Sequence, residues 1–135
     1  QRTGGSIVMV ATKNVMAPGK DFAAYSAAKA AQAQLARVAA MEGGAIGVRV
    51  NMINPDAVFR NSGLWSPDVR RNRAAAHGIA EAELEDHYRR RNLLGVTIDP
   101  DDVAEVAWWL ASDRSRKTTG TVVTVDGGVA AAFPR

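Results

Sequence analysis

Apolar residues gather in separate blocks along this chain, and the period inside each block sets the element it predicts. Ile7-Val8-Met9-Val10 is a short continuous apolar run, so residues 6–11 read as a buried strand. Pro18-Gly19 breaks the loop that follows. Residues 22–42 are rich in alanine and apolar almost all round, which predicts a buried helix stopped by Gly43-Gly44. Residues 47–53 and 121–125 read as two further strands. Between them lies a polar excursion from Pro55 to Ile98, too long for a plain connection and therefore expected to act as a lid or substrate loop. Within it residues 81–91 predict a helix. Its acidic start and basic end suit the helix dipole, and Glu85 with Arg89 and Asp86 with Arg90 stand four residues apart in the favourable order. Asp99-Pro100-Asp101-Asp102 opens another helix with an N-cap, a proline at the first position and acids in the first turn. That helix should run to about Ser112 and bury Val103, Val106, Ala107 and Leu110. The order β, α, β, excursion, α, β predicts an α/β fold.

Composition narrows the class. At 135 residues, 47% hydrophobic and 23% charged, the chain has ordinary globular usage and enough length for one real core. No repeat or low-complexity linker divides it, so residues 1–135 are expected to form a single segment. A net charge of +3 is too small to demand nucleic acid or a membrane surface as partner. No cysteine is present, which excludes disulfides and thiolate metal sites and fits a cytoplasmic setting. No run of about 18 apolar residues occurs, so no membrane span is expected.

The candidate chemistry sits near the start. Tyr25-Ser26-Ala27-Ala28-Lys29 places a phenol and an ammonium four residues apart, hence on one face of the predicted helix, where an ammonium can favour the ionised form of a phenol. Thirteen residues before the tyrosine, at the end of the first strand, stands the hydroxyl of Thr12. A tuned phenol can exchange a proton with an alcohol or carbonyl near neutral pH.

These residues resemble the short-chain dehydrogenase/reductase family, in which a strand ending in serine precedes Tyr-x-x-x-Lys on the next helix. Asn54-Pro55-Asp56-Ala57-Val58 is similar to the family's Asn-Pro-Gly-x-Val after the next strand, and Thr119-Gly120 through Val125-Asp126-Gly127-Gly128 resembles its closing strand and turn. The resemblance runs from about residue 4 to 129. It implies the C-terminal half of a Rossmann-like doubly wound parallel sheet, because no Gly-rich phosphate turn precedes Tyr25. It further implies NAD or NADP as cofactor, Tyr25 as general acid or base, Lys29 as the group that tunes it and bonds the nicotinamide ribose, and Thr12 as the group orienting the substrate oxygen. Tyr25, Lys29, Pro55, Asp56, Ala57 and Val58 are the implied cofactor contacts. Two departures stand out: Thr12 replaces serine, and Asp56 replaces glycine with Arg60 where a threonine often meets the nicotinamide carboxamide. The substrate is expected to be a small alcohol or carbonyl compound.

Further motifs, among them Ala11-Thr12-Lys13-Asn14 and Lys117-Thr118-Thr119-Gly120, resemble the dehydrogenase part of bacterial proteins that fuse a sugar-phosphate aldolase to such a dehydrogenase; lactaldehyde from deoxysugar breakdown is then the implied substrate. Small alanines along the helix after Tyr25 allow close approach of a second subunit, so a homo-oligomer is expected, and a non-catalytic oligomerisation module is the alternative reading. Arg70, Arg71, Arg73, Arg89, Arg90 and Arg91 read as a solvated helix face rather than a nucleic-acid surface. His77 and His87 lack metal-ligand spacing, so no metal site is expected. Trp108 and Trp109 are expected to pack at the domain surface or a subunit contact.

Overall fold

The computed structural model describes residues 4–133. Three parallel strands, β1 (Gly5–Val10), β2 (Val48–Pro55) and β3 (Val122–Val125), form a sheet in the order β1-β2-β3. Gly5 to Val10 pair with Val48 to Ile53 in register, and Met52 to Pro55 pair with Val122 to Val125. The central β2 is buried from Val50 to Asn54, on both of its faces, as a parallel strand flanked by helices must be. The fold class is the expected α/β.

The described residues form four α-helices, α1 (Ala23–Gly44), α2 (Pro67–His77), α3 (Leu84–Arg90) and α4 (Pro100–Ala111), of which α1 and α4 pack on the sheet. The alternation of β2 separates two layers. Val48, Val50 and Met52 pack on Ala33, Ala36 and Ala40 of α1. On the opposite face Arg49 donates to the carbonyl of Ser112 (3.1 Å) and to Ser115 Oγ (2.9 Å), and Ser6 of β1 donates to the carbonyl of Leu110 (2.8 Å), which fixes the end of α4 there. Of the residues expected to be buried along α4, Leu110 is fully so, while Val103, Val106 and Ala107 are half-buried.

Two expectations about α1 require correction. Helix α1 is not buried all round: only Ala33, Ala36, Ala40 and Gly43 are covered, and Leu35, Val38 and Met41 are exposed, because only one stripe of the helix meets the sheet. The glycine pair does not stop α1, which continues through Gly44; a Cβ on Gly43 would meet the carbonyl oxygen of Val48 at 2.9 Å, so Gly43 permits the closest approach of helix to strand. The chain reverses at Gly47, whose φ is +77°.

The excursion holds two α-helices rather than one. Ser66 caps α2 by accepting from Val69 N (3.4 Å), Pro67 opens it, and Gly78 closes it in the left-handed region. A 3-10 turn (Glu81–Glu83) precedes α3. Asp86 pairs with Arg90 (2.6 Å) as the spacing predicts, but Glu85 reaches across to Arg70 of α2 (2.7 Å), and Arg89 turns to Asp86. Trp65, Ala74, Leu84 and Tyr88 form a small core of the excursion's own. Phe59 stacks on Trp65 with ring centroids 4.2 Å apart, and both meet Tyr88 edge-on.

Candidate active site

Parallel strands end together, so the segments after β1 and β2 emerge side by side at the carboxyl edge of the sheet, where ligands of α/β folds bind. There the chain encloses an open cavity of about 370 Å³. Thr12 and Tyr25 line it from the β1 side, Pro55 to Val58 from the end of β2, and Trp65, Arg73, Tyr88 and Arg91 from the excursion. The structure therefore brings together Thr12, Tyr25 and the 55–58 segment, as their positions in the sequence imply.

Thr12 is buried, extended, and caps the single 3-10 turn Lys13–Val15 by accepting from Asn14 N at 3.4 Å. That bond occupies an oxygen lone pair and leaves the hydroxyl hydrogen free to donate. Tyr25 lies in the first turn of α1, its ring tilted against Phe22 at 5.7 Å. Lys29, one turn later, is not in the cavity wall. Its ammonium donates to the carbonyl of Val10 (3.0 Å) and to Gln32 Oε1 (3.0 Å), tying α1 to the end of β1 two residues before Thr12.

Asp56 lines the cavity, but its carboxylate, 6% exposed, is held by Arg91 Nη2 at 2.6 and 2.9 Å. Arg91 in turn lies 3.9 Å over the ring of Tyr88. The acid that stands where the family has glycine thus fastens the excursion to β2 through a charge-assisted pair. Arg60 points away from the cavity wall to Asp99 (3.1 Å) and Asp101 (2.5 Å) at the start of α4. Asn54, fully buried at the end of β2, has neither amide atom paired.

The arginine cluster departs from its expected role. Arg71, Arg89 and Arg90 make exposed ion pairs, as a solvated face does, but Arg73 and Arg91 turn into the cavity. Lys13 joins them there. Burial, then the neighbouring Arg91, pushes the Lys13 ammonium below its usual pKa. The only signal for this in the sequence is position: both arginines belong to the excursion, and in α2 the residue three after Arg70 returns to the same face.

His77 and His87 face one another with ring centroids 4.3 Å apart, and both lie beside Tyr88. Each imidazole is held below its usual pKa: His77 by burial, then by His87, Arg73 and Arg91; His87 by burial, then by Arg91, Arg90 and Arg73. The folded state therefore binds fewer protons than the unfolded chain below the ordinary imidazole range of about 6.5, and the excursion loses stability as pH falls through it. Amide exchange across α2 and α3 is expected to quicken on acidification, and a His77→Gln/His87→Gln double variant should flatten that dependence. Among the described residues no group of three or more His, Cys, Asp or Glu side chains could hold a metal ion.

The family model described as Enoyl-(Acyl carrier protein) reductase matches residues 1–130. The chain belongs to the short-chain dehydrogenase/reductase family. It is 50% identical to the uncharacterized oxidoreductase YuxG of Bacillus subtilis (strain 168), over 100% of this chain and 20% of that protein. A short-chain dehydrogenase family protein from Francisella tularensis has a similar solved structure, with a TM-score of 0.82 at 27% identity over 95% of this chain and 52% of that one. A short-chain dehydrogenase from Mycobacterium paratuberculosis, solved with NAD bound, superposes with a TM-score of 0.75 at 32% identity over 95% of this chain and 46% of that one. The chain thus spans a fifth of the Bacillus protein and about half of these two solved chains.

Short-chain dehydrogenases use NAD or NADP, and the residues present fit the nicotinamide end of such a cofactor. The 55–58 backbone and the hydroxyls of Thr12 and Tyr25 border one cavity of ordinary ligand size. Among the described residues no helix is long and apolar enough to cross a membrane.

Proposed function

We propose that this chain is the C-terminal catalytic half of an NAD(P)-dependent short-chain dehydrogenase that interconverts a small alcohol and its carbonyl compound. The observation that carries the reading is the meeting of Thr12, Tyr25 and the 55–58 segment on one cavity at the carboxyl edge of the sheet. When bound, the cofactor supplies the acceptor or donor of hydride. Thr12 donates its free hydroxyl hydrogen to the substrate oxygen and so fixes the reacting carbon. In oxidation Tyr25 Oη accepts the alcohol proton as the carbon loses hydride; in reduction it returns that proton to the carbonyl oxygen. Lys29 holds the start of α1 against β1, and with it the position of Tyr25 relative to Thr12.

The cavity has room for a molecule as small as lactaldehyde, and an oxidoreductase relative five times as long as this chain leaves room for the second part that an aldolase fusion needs. Exposed Leu35, Val38 and Met41 on α1 support self-association through that helix, and a chain without cysteine is compatible with the cytoplasm. An NADH fluorescence titration of the parent protein tests the reading. Saturable binding is expected, weakened at least about tenfold by Lys29→Ala if the ammonium holds the ribose as well as Val10. Unchanged affinity in the variant would remove Lys29 from the cofactor site.

A further inference from the structure

The walls of the cavity carry an imbalance that an uncharged substrate leaves unexplained. Among the described residues that line it, three side chains are cations, Lys13, Arg73 and Arg91, and the one carboxylate is Asp56. Asp56 is already committed to Arg91. Arg73 spends its terminal nitrogens on the Lys20 carbonyl (3.1 Å) and His77 Nε2 (3.1 Å), and its guanidinium lies 4.6 Å over the ring of Phe22, which in turn packs on Tyr25. Lys13 donates to the carbonyl of Ala17 (3.0 Å). The Nε–H groups of both Arg73 and Arg91 are buried without a partner. Buried donors of native proteins are nearly always satisfied, and buried positive charge is costly without an anion. Burial first, and then the nearby Arg91, depresses the Lys13 ammonium. The nearby histidines cannot compensate that charge, since an imidazole is either neutral or cationic.

We propose that the substrate carries an anionic group, a carboxylate or a phosphate, and that Arg73, Arg91 and Lys13 receive it while its alcohol or carbonyl meets Tyr25 and Thr12. The anion site stands on the cavity alone, whereas the placement of the alcohol rests on the dehydrogenase reading. The cations come from the loop after β1 and from the excursion, and Arg91 adjoins the 55–58 wall through Asp56. Arg73 and Arg91 sit on α2 and at the end of α3, so a bound anion also draws the excursion onto the sheet.

Calorimetric titration of the parent protein with glycerate, glycerol phosphate and glycerol tests the proposal. These share a hydroxylated carbon skeleton and differ in charge. At least one anion is expected to bind about tenfold or more tightly than glycerol, as charge-assisted hydrogen bonds to a half-buried site require. The better of the two names the anion. Arg73→Gln and Lys13→Met should each reduce that preference, Arg73→Lys should restore part of it, and added salt should weaken it. Arg91→Gln would strand the buried Asp56 carboxylate, so Arg73 and Lys13 carry the test, with thermal melts confirming that each variant is folded. Equal binding of anions and glycerol, binding of none of the three, or a preference that survives both variants overturns the proposal. So does a loss of NADH affinity in place of anion preference, which would assign the cations to the cofactor phosphates. Turnover that persists in Tyr25→Phe sinks the dehydrogenase reading and leaves the anion site standing.

Discussion

Replacing Tyr25 by phenylalanine is expected to lower kcat of the parent enzyme by about a hundredfold to ten-thousandfold, the range that a positioned general acid or base contributes. The substitution removes one oxygen and little else. The ring is half-buried at the start of α1 and packs on Phe22, and phenylalanine keeps that contact. Fold and cofactor affinity should therefore be nearly unchanged, which separates loss of chemistry from loss of binding. Steady-state rates over a panel of small hydroxyaldehydes and hydroxy acids, read beside an NADH titration of the same variant, provide the check. Thr12→Ser sharpens it. Serine keeps the donor hydroxyl and the cap on Asn14 N, so activity should survive there, whereas Thr12→Val keeps the shape and loses both. If Tyr25→Phe turns over normally, the proton passes through some other group and the assignment fails.

Much of this site is legible in the order of the residues alone. Tyr25 and Lys29 stand at a spacing that a helix must honour, and Thr12 is marked by its place at the end of an apolar run. Both rules concern local backbone geometry, which a few adjacent residues decide. Helix α4 is readable for the same reason, since Asp99-Pro100 is a start signal whose partners lie within one turn. Local signals can also be faint. Ser66-Pro67 followed by Gly78 marks α2 as plainly as Asp99-Pro100 marks α4, yet the polar residues between them carry no apolar period to single the segment out.

The features that the sequence does not disclose depend on contacts across the fold. Arg73 and Arg91 differ from Arg71 and Arg90 in no property of the residue; the direction in which two helices of the excursion face decides which arginines meet water. Asp56 reads as a disturbance of the cofactor turn because its partner Arg91 lies 35 residues away. Gly43 reads as a stop because glycine often ends helices, while its cause is the carbonyl of Val48. In each case the decisive atom belongs to a distant segment, and only the folded chain supplies it.

The second large effect is expected at Leu84. This side chain is 0% exposed and sits among Trp65, Ala74 and Tyr88, so Leu84→Ala should cost about 2–5 kcal/mol of local stability through lost burial and the cavity left behind. The loss should fall on the excursion and spare the sheet, because the two regions have separate cores. Val50 and Met52 pack with α1 alanines, whereas Leu84 serves the aromatic cluster. The ties between them are largely polar and include the Asp56–Arg91 pair, Arg60 with Asp99 and Asp101, Arg73 with the Lys20 carbonyl, and the bonds from Leu93 N and Leu94 N to the Gly128 and Gly127 carbonyls at 3.0 Å each. Helices α2 and α3, with the residue that ends α3, carry Arg70, Arg71, Arg73, Arg89, Arg90 and Arg91, six sites for trypsin. Limited trypsinolysis should therefore cut the variant within α2 and α3 much faster than the parent, while amides of β2 keep their slow exchange. The excursion supplies the aromatic wall of the cavity and two of its three cations, so anion affinity should fall in step with the opening and NADH affinity much less. Uniform loss of protection across β2 and α3 would instead make the chain one cooperative unit, and the lid would have no independent motion with which to admit substrate.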